Sequence, residues 1–397
     1  MAHDESQPKI IVYGANWCSD CRRSKKFLGE QRIHYSWVDV DQDAEGLALV
    51  EQYNKGKRII PTIVFDDDSF LVEPSNAELA AKLGLQTRAK CEYYDLIVIG
   101  SGPTGLTAAL YAAREGLEVL VIERSGLGGQ AGITERLDNF PGFPEGVSGA
   151  EFADRLVRQA RRFEVEILQA QDVIGLRAEA ESRYVKTADG NEYGARAVLI
   201  ATGSTYRRLN VPGEEELIGA GVHFCATCDG PFYRGKHVAV VGGGNSAAEE
   251  SVFLTRFAEK VTILVRGDAL TASKVAADKI AELPQIDVRY HTVIDELRGE
   301  GKLGAIALRD TQSGATSTLD PAGLFVFIGL MPNVGWLPNT IERDEYGFIV
   351  TSVTLETNVP GVFAAGDVRQ GSTKQAASAA GEGATAALMI REYLKGV

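Results

Sequence analysis

Ile97-Val98-Ile99-Gly100-Ser101-Gly102-Pro103-Thr104-Gly105 carries an apolar strand into a turn of three glycines, and a helical pattern from Leu106 to Arg114 follows, closed by Gly116. Gly100 suits the tight bend, Gly102 lets the backbone approach a pyrophosphate, and Gly105 lets helix pack on strand, leaving the phosphate at the positive helix end. After the next strand, Val119 to Ile122, Glu123 is placed to accept hydrogen bonds from ribose hydroxyls. Gly100, Gly102, Pro103, Gly105 and Glu123 are therefore candidate contacts of a bound dinucleotide.

The pattern recurs downstream. Strand Lys236 to Val241 runs into Gly242-Gly243-Gly244-Asn245-Ser246-Ala247, with a helix predicted from about Ala248. Gly242, Gly244, Asn245 and Ser246 are the matching candidates, and two such turns imply two nucleotides. After strand Val261 to Val265 comes Arg266 in place of an acid, which favours the 2'-phosphate of NADP over a bare ribose hydroxyl. A solvated Arg266 is the alternative, so NADH stays open. The later half of the first unit returns around Gly361 to Asp367, so one unit is inserted in the other.

Toward the N-terminus, Lys9 to Leu85 reads as strand, cysteine-bearing loop, helix, strand, helix, two short strands and helix, a small α/β unit. The charged stretch from Gln86 to Glu92 reads as a linker. The five cysteines are too few for a disulfide scaffold, and four form two C-x-x-C pairs. Cys18 and Cys21 flank a helix start followed by Arg22, Arg23, Lys25 and Lys26, a setting expected to favour a Cys18 thiolate that Cys21 can resolve. Pro61 is a candidate cis-proline beside that pair, an ordinary trans proline at a strand start being the alternative. Cys225 and Cys228 precede the second turn, with Asp229 placed to exchange the proton. A zinc site of four thiolates competes, but residues 21 and 225 are far apart for one. Cys91 reads as an incidental linker thiol, and the scattered histidines as surface or core residues.

A chain of 397 residues suits two or three domains, and its net charge of -13 argues against nucleic acid and anionic membrane as partners. The first eight residues lack the features of a secretory signal, and no apolar run is long enough to span a bilayer. A cytoplasmic enzyme is the expectation.

From about Tyr94 to Val397 the chain resembles the low-molecular-weight thioredoxin reductases, flavoproteins of the pyridine nucleotide-disulfide oxidoreductase class. Beyond the turns and Cys225-Ala226-Thr227-Cys228-Asp229, the likeness rests on Gly128-Gly129-Gln130, Asn139-Phe140-Pro141-Gly142, Ala201-Thr202-Gly203 and Gly361-Val362-Phe363-Ala364-Ala365-Gly366-Asp367. It implies FAD contacts at Gly129, Gln130, Asn139, Ala201, Thr202, Gly203 and Gly366, with Asp367 at the ribityl chain and Gln375 and Ala376 at the flavin pyrimidine edge. It also implies a homodimer and a nicotinamide domain that swings its cysteine pair between flavin and protein substrate. Where the family usually has His-Arg-Arg and a further Arg, this chain has Val265-Arg266-Gly267 and Thr271. NADPH is the expected donor, with NADH possible.

The N-terminal unit is similar to glutaredoxins, nearest the mycoredoxin and ribonucleotide-reductase-redoxin branch, through Trp17-Cys18-Ser19-Asp20-Cys21, Ile60-Pro61-Thr62 and Glu73-Pro74-Ser75. Glu73-Pro74-Ser75-Asn76 stands where glutathione-binding members carry a Gly-Gly-x-Asp-Asp type segment. The expected fold is α/β: a thioredoxin/glutaredoxin-like domain at 8–86, a linker at 87–93, and two Rossmann-like domains. The FAD-binding one occupies 94–207 and 324–397, and the NAD(P)H-binding one, with its redox pair, is inserted at 208–323. Electrons are expected to pass from NADPH through FAD, Cys228 and Cys225 to Cys18 and Cys21, then to a protein or low-molecular-weight disulfide. Alternatives are a reductase feeding a peroxiredoxin, as in alkyl hydroperoxide reductase flavoproteins, and a redox-responsive flavin-binding protein without turnover.

Overall fold

The computed structural model describes residues 10–134 and 136–396, the side chains of Thr227 and Cys228 excepted. It opens with β1 (Ile11–Gly14), α1 (Ser19–Glu30), β2 (Ser36–Asp39), α2 (Ala44–Tyr53), β3 (Thr62–Val64), β4 (Phe70–Val72) and α3 (Asn76–Lys82). The four strands form one sheet in the order β2-β1-β3-β4, with β1 parallel to β2 and antiparallel to β3. Helix α1 buries Cys21, Ser24, Phe27 and Leu28. That three-and-four spacing makes one face, which packs Phe27 and Leu28 with Ile10 and Val12. The Ile60-Pro61 peptide is cis, resolving the alternative left open by the sequence.

Next come β5 (Tyr93–Ile99), α4 (Pro103–Arg114), β6 (Val119–Ile122), α5 (Gly149–Arg162), β7 (Glu166–Leu168), β8 (Val173–Glu179), β9 (Ser182–Thr187) and β10 (Glu192–Ile200). Strands β5, β6, β7 and β10 pair in parallel, and β8 and β9 add antiparallel neighbours beyond β10. The C-terminal end of β10, Val198 to Ile200, also pairs with a strand at Val362–Ala364. The parallel strands bury Leu96 to Ile99, Val119 to Ile122 and Ala197 to Ile200 almost completely, as a sheet covered on both faces requires.

The inserted segment runs β11 (Ser204–Tyr206), α6 (Glu214–Leu217), β12 (Val222–His223), α7 (Ala226–Asp229), β13 (His237–Val241), α8 (Asn245–Leu254), β14 (Lys260–Leu264), α9 (Lys274–Glu282) and β15 (Ile286–Arg289). It continues through β16 (Thr292–Arg298), β17 (Ala305–Asp310), β18 (Thr316–Leu319), β19 (Gly323–Val326) and β20 (Leu330–Pro332). A parallel sheet β12-β19-β13-β14-β15 and an antiparallel one, β16-β17-β18, repeat the arrangement of the first unit. The two crossing segments, β11 and β20, pair antiparallel to each other. Strand β21 (Val362–Ala364) and helix α10 (Ala376–Lys395) close the chain, α10 lying on α4.

Helix α8 starts at Asn245, earlier than its sequence pattern suggested, because Gly244 takes the N-cap position. The N-terminal sheet is seated on the larger unit. Ala170 joins its apolar cluster beside Ile33, Leu83 and Leu85, and Gln169 N donates to Gln86 O at 2.8 Å. Among the described residues no helix is long and apolar enough to cross a membrane.

Candidate active site

Helix starts separate the places that suit an anion from those that do not. Helices α1, α2, α3, α5 and α9 have their first N–H groups bonded by the side chain of Cys18, Asp43, Ser75, Ser148 or Ser273. The other long helices, α4, α8 and α10, have no side-chain cap and no acidic residue in the first turn. Their N-caps are Gly102, Gly244 and Gln375, and all three starts are positions where the sequence implied a cofactor. Free N–H groups and the positive helix end make such starts receptive to phosphate or to electron-rich ring edges.

The glycine turns are shaped for the same end. Gly100 sits at φ +105°, and a side chain there would strike the Ala201 carbonyl; Gly242, at φ +141°, stands likewise against Phe327 O. A Cβ on Gly102 would meet only the Gly129 Cα, 3.9 Å away, which leaves space over the turn. Glu123, buried at the end of β6, accepts from Ser101 N and Oγ at 2.7 and 2.8 Å and from Ser125 N and Oγ at 2.8 and 3.1 Å. Its acceptor positions are filled, so a ribose hydroxyl would have to replace a serine hydroxyl.

Residues distant in sequence gather around this cradle. Asn139 donates to Gln375 Oε1 at 3.0 Å, bringing two implied flavin contacts together. Thr202 exchanges two hydrogen bonds with Asn333, at 2.9 and 2.8 Å. The half-buried Glu382 accepts from Gly366 N at 2.7 Å and pairs with Arg369 at 2.8 Å, pinning the bend that presents Asp367. Burial pushes the Asp367 carboxyl above its usual range, with Lys374 and Ser372 opposing. These side chains suit a flavin nucleotide: an acid at a hydroxylated chain, amides at a ring edge and bare helix ends at phosphate.

At the second turn Arg266 is exposed. Thr271, at the later position, donates from N and Oγ to Gly243 O at 2.8 and 3.2 Å, and Ser273 N donates to Asn245 Oδ1 at 2.6 Å. The loop that usually carries a second arginine is here fastened to the turn itself.

The cysteine pairs differ in state. Cys225, at the start of α7, is in a disulfide, a state in which its sulfur is not a thiolate ligand. Cys228 lies in the next turn, with its side chain outside the described residues. Asp229 N donates to Cys225 O at 3.1 Å. Just before Cys225, the buried His223 places Nε2 2.6 Å from the Tyr233 hydroxyl and Nδ1 3.4 Å from Asp229 Oδ2. Burial and the Asp229 charge push the Tyr233 phenol up to about 12, so it stays a donor. Tyr206 stacks on Phe224 at 5.2 Å, and burial, followed by the charges of Asp367, Glu250 and Asp229, pushes its phenol up to about 12. Phe224, next to Cys225, thus packs on β11, whose Thr205 donates to Asn333 Oδ1 at 2.9 Å, and Asn333 also bonds Thr202, so α7 adjoins the cradle. His223 escaped the sequence reading, although its place two residues before Cys225 was a signal.

Cys18 and Cys21 are free thiols. Cys18 is the N-cap of α1: its sulfur accepts from Cys21 N at 3.2 Å, and its thiol points to Ile60 O at 3.7 Å, beside the cis-proline. Cys21 is fully buried, and burial together with the hydrogen bond to Cys18 pushes its thiol up to about 12. Gly14 makes room for that sulfur, since a Cβ there would come within 2.7 Å of Cys21 Sγ. Trp17 is 67% exposed, its indole N–H donating to Asp41 at 2.8 Å. Cys91 is a free, exposed thiol.

Residues 94–383 match the family model described as pyridine nucleotide-disulphide oxidoreductase, and residues 10–70 match the one described as glutaredoxin. The thioredoxin reductase of Treponema pallidum is 41% identical over 301 residues, covering 76% of this chain and 97% of the relative. That of Bacillus subtilis is 42% identical over 303 residues, covering 76% and 95%. The crystal structure of thioredoxin reductase from Streptococcus pyogenes superposes with a TM-score of 0.73 at 38% identity, covering 77% of this chain and 99% of that one. The chain therefore belongs to the pyridine nucleotide-disulphide oxidoreductases, as a thioredoxin reductase-like disulfide oxidoreductase using FAD and NADPH and carrying a glutaredoxin domain ahead of its reductase body.

Proposed function

We propose that this enzyme passes electrons from NADPH to the Cys18-Cys21 pair of its own redoxin domain, and from there to a protein or low-molecular-weight disulfide. The observation that carries the reading is that one chain holds a closed dithiol at Cys225, beside the flavin cradle, and an open one at Cys18 and Cys21. Bound FAD would supply the two-electron chemistry that links a nicotinamide hydride to a disulfide. In this reading Gly100, Gly102, Pro103, Gly105, Gly129 and Gln130 hold its phosphates and ribityl start. Asn139, Ala201 to Gly203, Gly366, Asp367, Gln375 and Ala376 hold the rest. Gly242, Gly244, Asn245, Ser246 and Arg266 hold NADPH.

Asp229 gives the proton that the Cys225-Cys228 pair needs as its disulfide opens, and takes it back as the pair closes. The Cys225 thiolate then attacks the oxidised redoxin pair and forms a mixed disulfide. Cys228 attacks that bond, closes on Cys225 and leaves two redoxin thiols, so two electrons have moved. Cys18 repeats the exchange on an external disulfide, and Cys21 resolves it. The expected units are 8–86, 94–207 with 324–397, and 208–323, with the last boundary moved past Val326, because β19 (Gly323–Val326) pairs with β12 and β13 of the inserted sheet. A homodimer and a cytoplasmic setting complete the reading; reducing surroundings suit exchange-active dithiols.

The test pairs Cys18→Ser with Cys225→Ser under anaerobic NADPH titration and an external-disulfide assay. Cys225→Ser should stop disulfide reduction, on the order of a thousandfold, while NADPH still bleaches the flavin. Cys18→Ser should cut it at least about tenfold with flavin reduction unchanged. External reduction undiminished in Cys18→Ser would remove the redoxin from the route. Offering a peroxiredoxin, a thioredoxin and mixed low-molecular-weight disulfides as acceptors ranks the final partner.

A further inference from the structure

Arg32 follows α1 in the left-handed region, at φ +57°, and its side chain crosses from the redoxin unit into the larger one. There Nη1 donates to Leu127 O, and Nη2 donates to Gly129 O at 2.6 Å. The slot it enters is made by glycines. A Cβ on Gly126 would stand 2.6 Å from Arg32 Cγ, and one on Gly132 would collide with the guanidinium. Its neighbours grip the same segment: Gly126 N donates to Glu30 O at 2.6 Å, and Gln31 Nε2 donates to Arg124 O at 2.9 Å. Three consecutive redoxin residues thus hold residues 124–129.

That segment leads into the flavin cradle. Gly128 and Gly129 are both left-handed, at φ +97° and +58°, an arrangement that does not hold itself in place. Gly128 N donates to Ser101 O at 3.0 Å, and a Cβ on Gly129 would lie 2.9 Å from Gly102 Cα, so the loop rests on the first glycine turn. The carbonyls on either side of this pair of residues, Leu127 and Gly129, are the two that Arg32 ties together. A planar guanidinium can bind both at once; an ammonium cannot reproduce that fork.

We propose that Arg32 is a positioning residue for the flavin: it sets the shape of the Leu127–Gln130 loop against the phosphate turn, so that redoxin docking and FAD binding favour each other. The proposal rests on the reading that Gly129 and Gln130 contact FAD. Coupling of this kind is reciprocal, so the factor that docking adds to FAD affinity is the factor that FAD adds to docking. The arrangement also leaves the redoxin chemistry free. Helix α1 has 12 residues, so Cys18 stands about 18 Å along its axis from the docked end.

The experiment uses the full chain stripped of FAD. FAD affinity is read from flavin fluorescence during reconstitution, and docking from the rate at which trypsin cuts the linker at Arg88 and Lys90, with and without FAD. In the unaltered chain FAD should slow linker cleavage several-fold. Arg32→Ala should weaken FAD binding about tenfold, within the usual range of such couplings, and abolish the FAD-dependent protection. Arg32→Lys should fall between, and it carries the test if the alanine variant does not fold. Wild-type FAD affinity in a folded Arg32 variant, or linker protection by FAD that persists undiminished, would overturn the proposal, because a merely structural seam gives no dependence on FAD. An unaltered chain that takes up no FAD would instead overturn the flavin reading beneath it.

Discussion

Cys18 opens a helix of 12 residues with an exposed tryptophan and a cis-proline at its side, whereas Cys225 precedes a four-residue helix walled in by Tyr206, His223 and Tyr233. In the first pair both cysteines are buried, Cys21 completely and Cys18 nearly so beside the exposed Trp17, and burial keeps the inner Cys21 thiol protonated. In the second, an acid, an imidazole and a phenol are hydrogen-bonded or closely packed behind a disulfide. The same four-residue spacing is therefore fitted to two tasks. A pair that must meet many partners lies just under an exposed tryptophan, while a pair that meets one cofactor needs a controlled proton.

The contrast can be broken at the proton first. Asp229→Asn should slow NADPH-driven disulfide reduction on the order of a hundredfold, since a positioned acid contributes about that much or more, with binding of both cofactors unchanged. A loss under about threefold in stopped-flow turnover would mean that solvent supplies the proton. Next, the buried Cys21 thiol lies up near about 12. A raised thiol pKa keeps the neutral, unreactive form at lower pH, so between roughly pH 7 and 10 iodoacetamide should mark Cys18 at least about tenfold faster than Cys21. Labelling of Cys21 should climb only as pH approaches that value. Peptide mass spectrometry reads both, with the exposed Cys91 as internal reference, and equal labelling would erase the inner-outer distinction within the redoxin pair. The smallest effect falls on docking. Trp17→Ala should raise the apparent KM for a protein disulfide about threefold, leaving the reduction of a small disulfide unaltered.

What could be read in advance was local. The two glycine turns, the two C-x-x-C pairs and Pro61 lie in short windows in which spacing itself states the chemistry. Asn139 and Gln375 were found only through family likeness, because their hydrogen bond joins residues 236 apart. His223 was set aside as scattered, since its partners lie at 229 and 233, on the far side of a turn that has no helical or strand period. Arg32 carries no motif at all. Its partners, 95 and 97 residues away, are backbone carbonyls, which leave no mark in a sequence. Glu123 was legible as an acid at a strand end, but not that Ser101 and Ser125 already occupy it.

Strand β10 finishes its pairing only with β21, 162 residues after its own last member, Ile200, and α10 follows later still. On the ribosome, the redoxin sheet and the inserted parallel sheet are each complete long before the sheet that bears the first glycine turn. The nascent chain must therefore carry that sheet half-built while its neighbours mature, and translation arrested between Val326 and Val362 would release two finished sheets joined to an open edge.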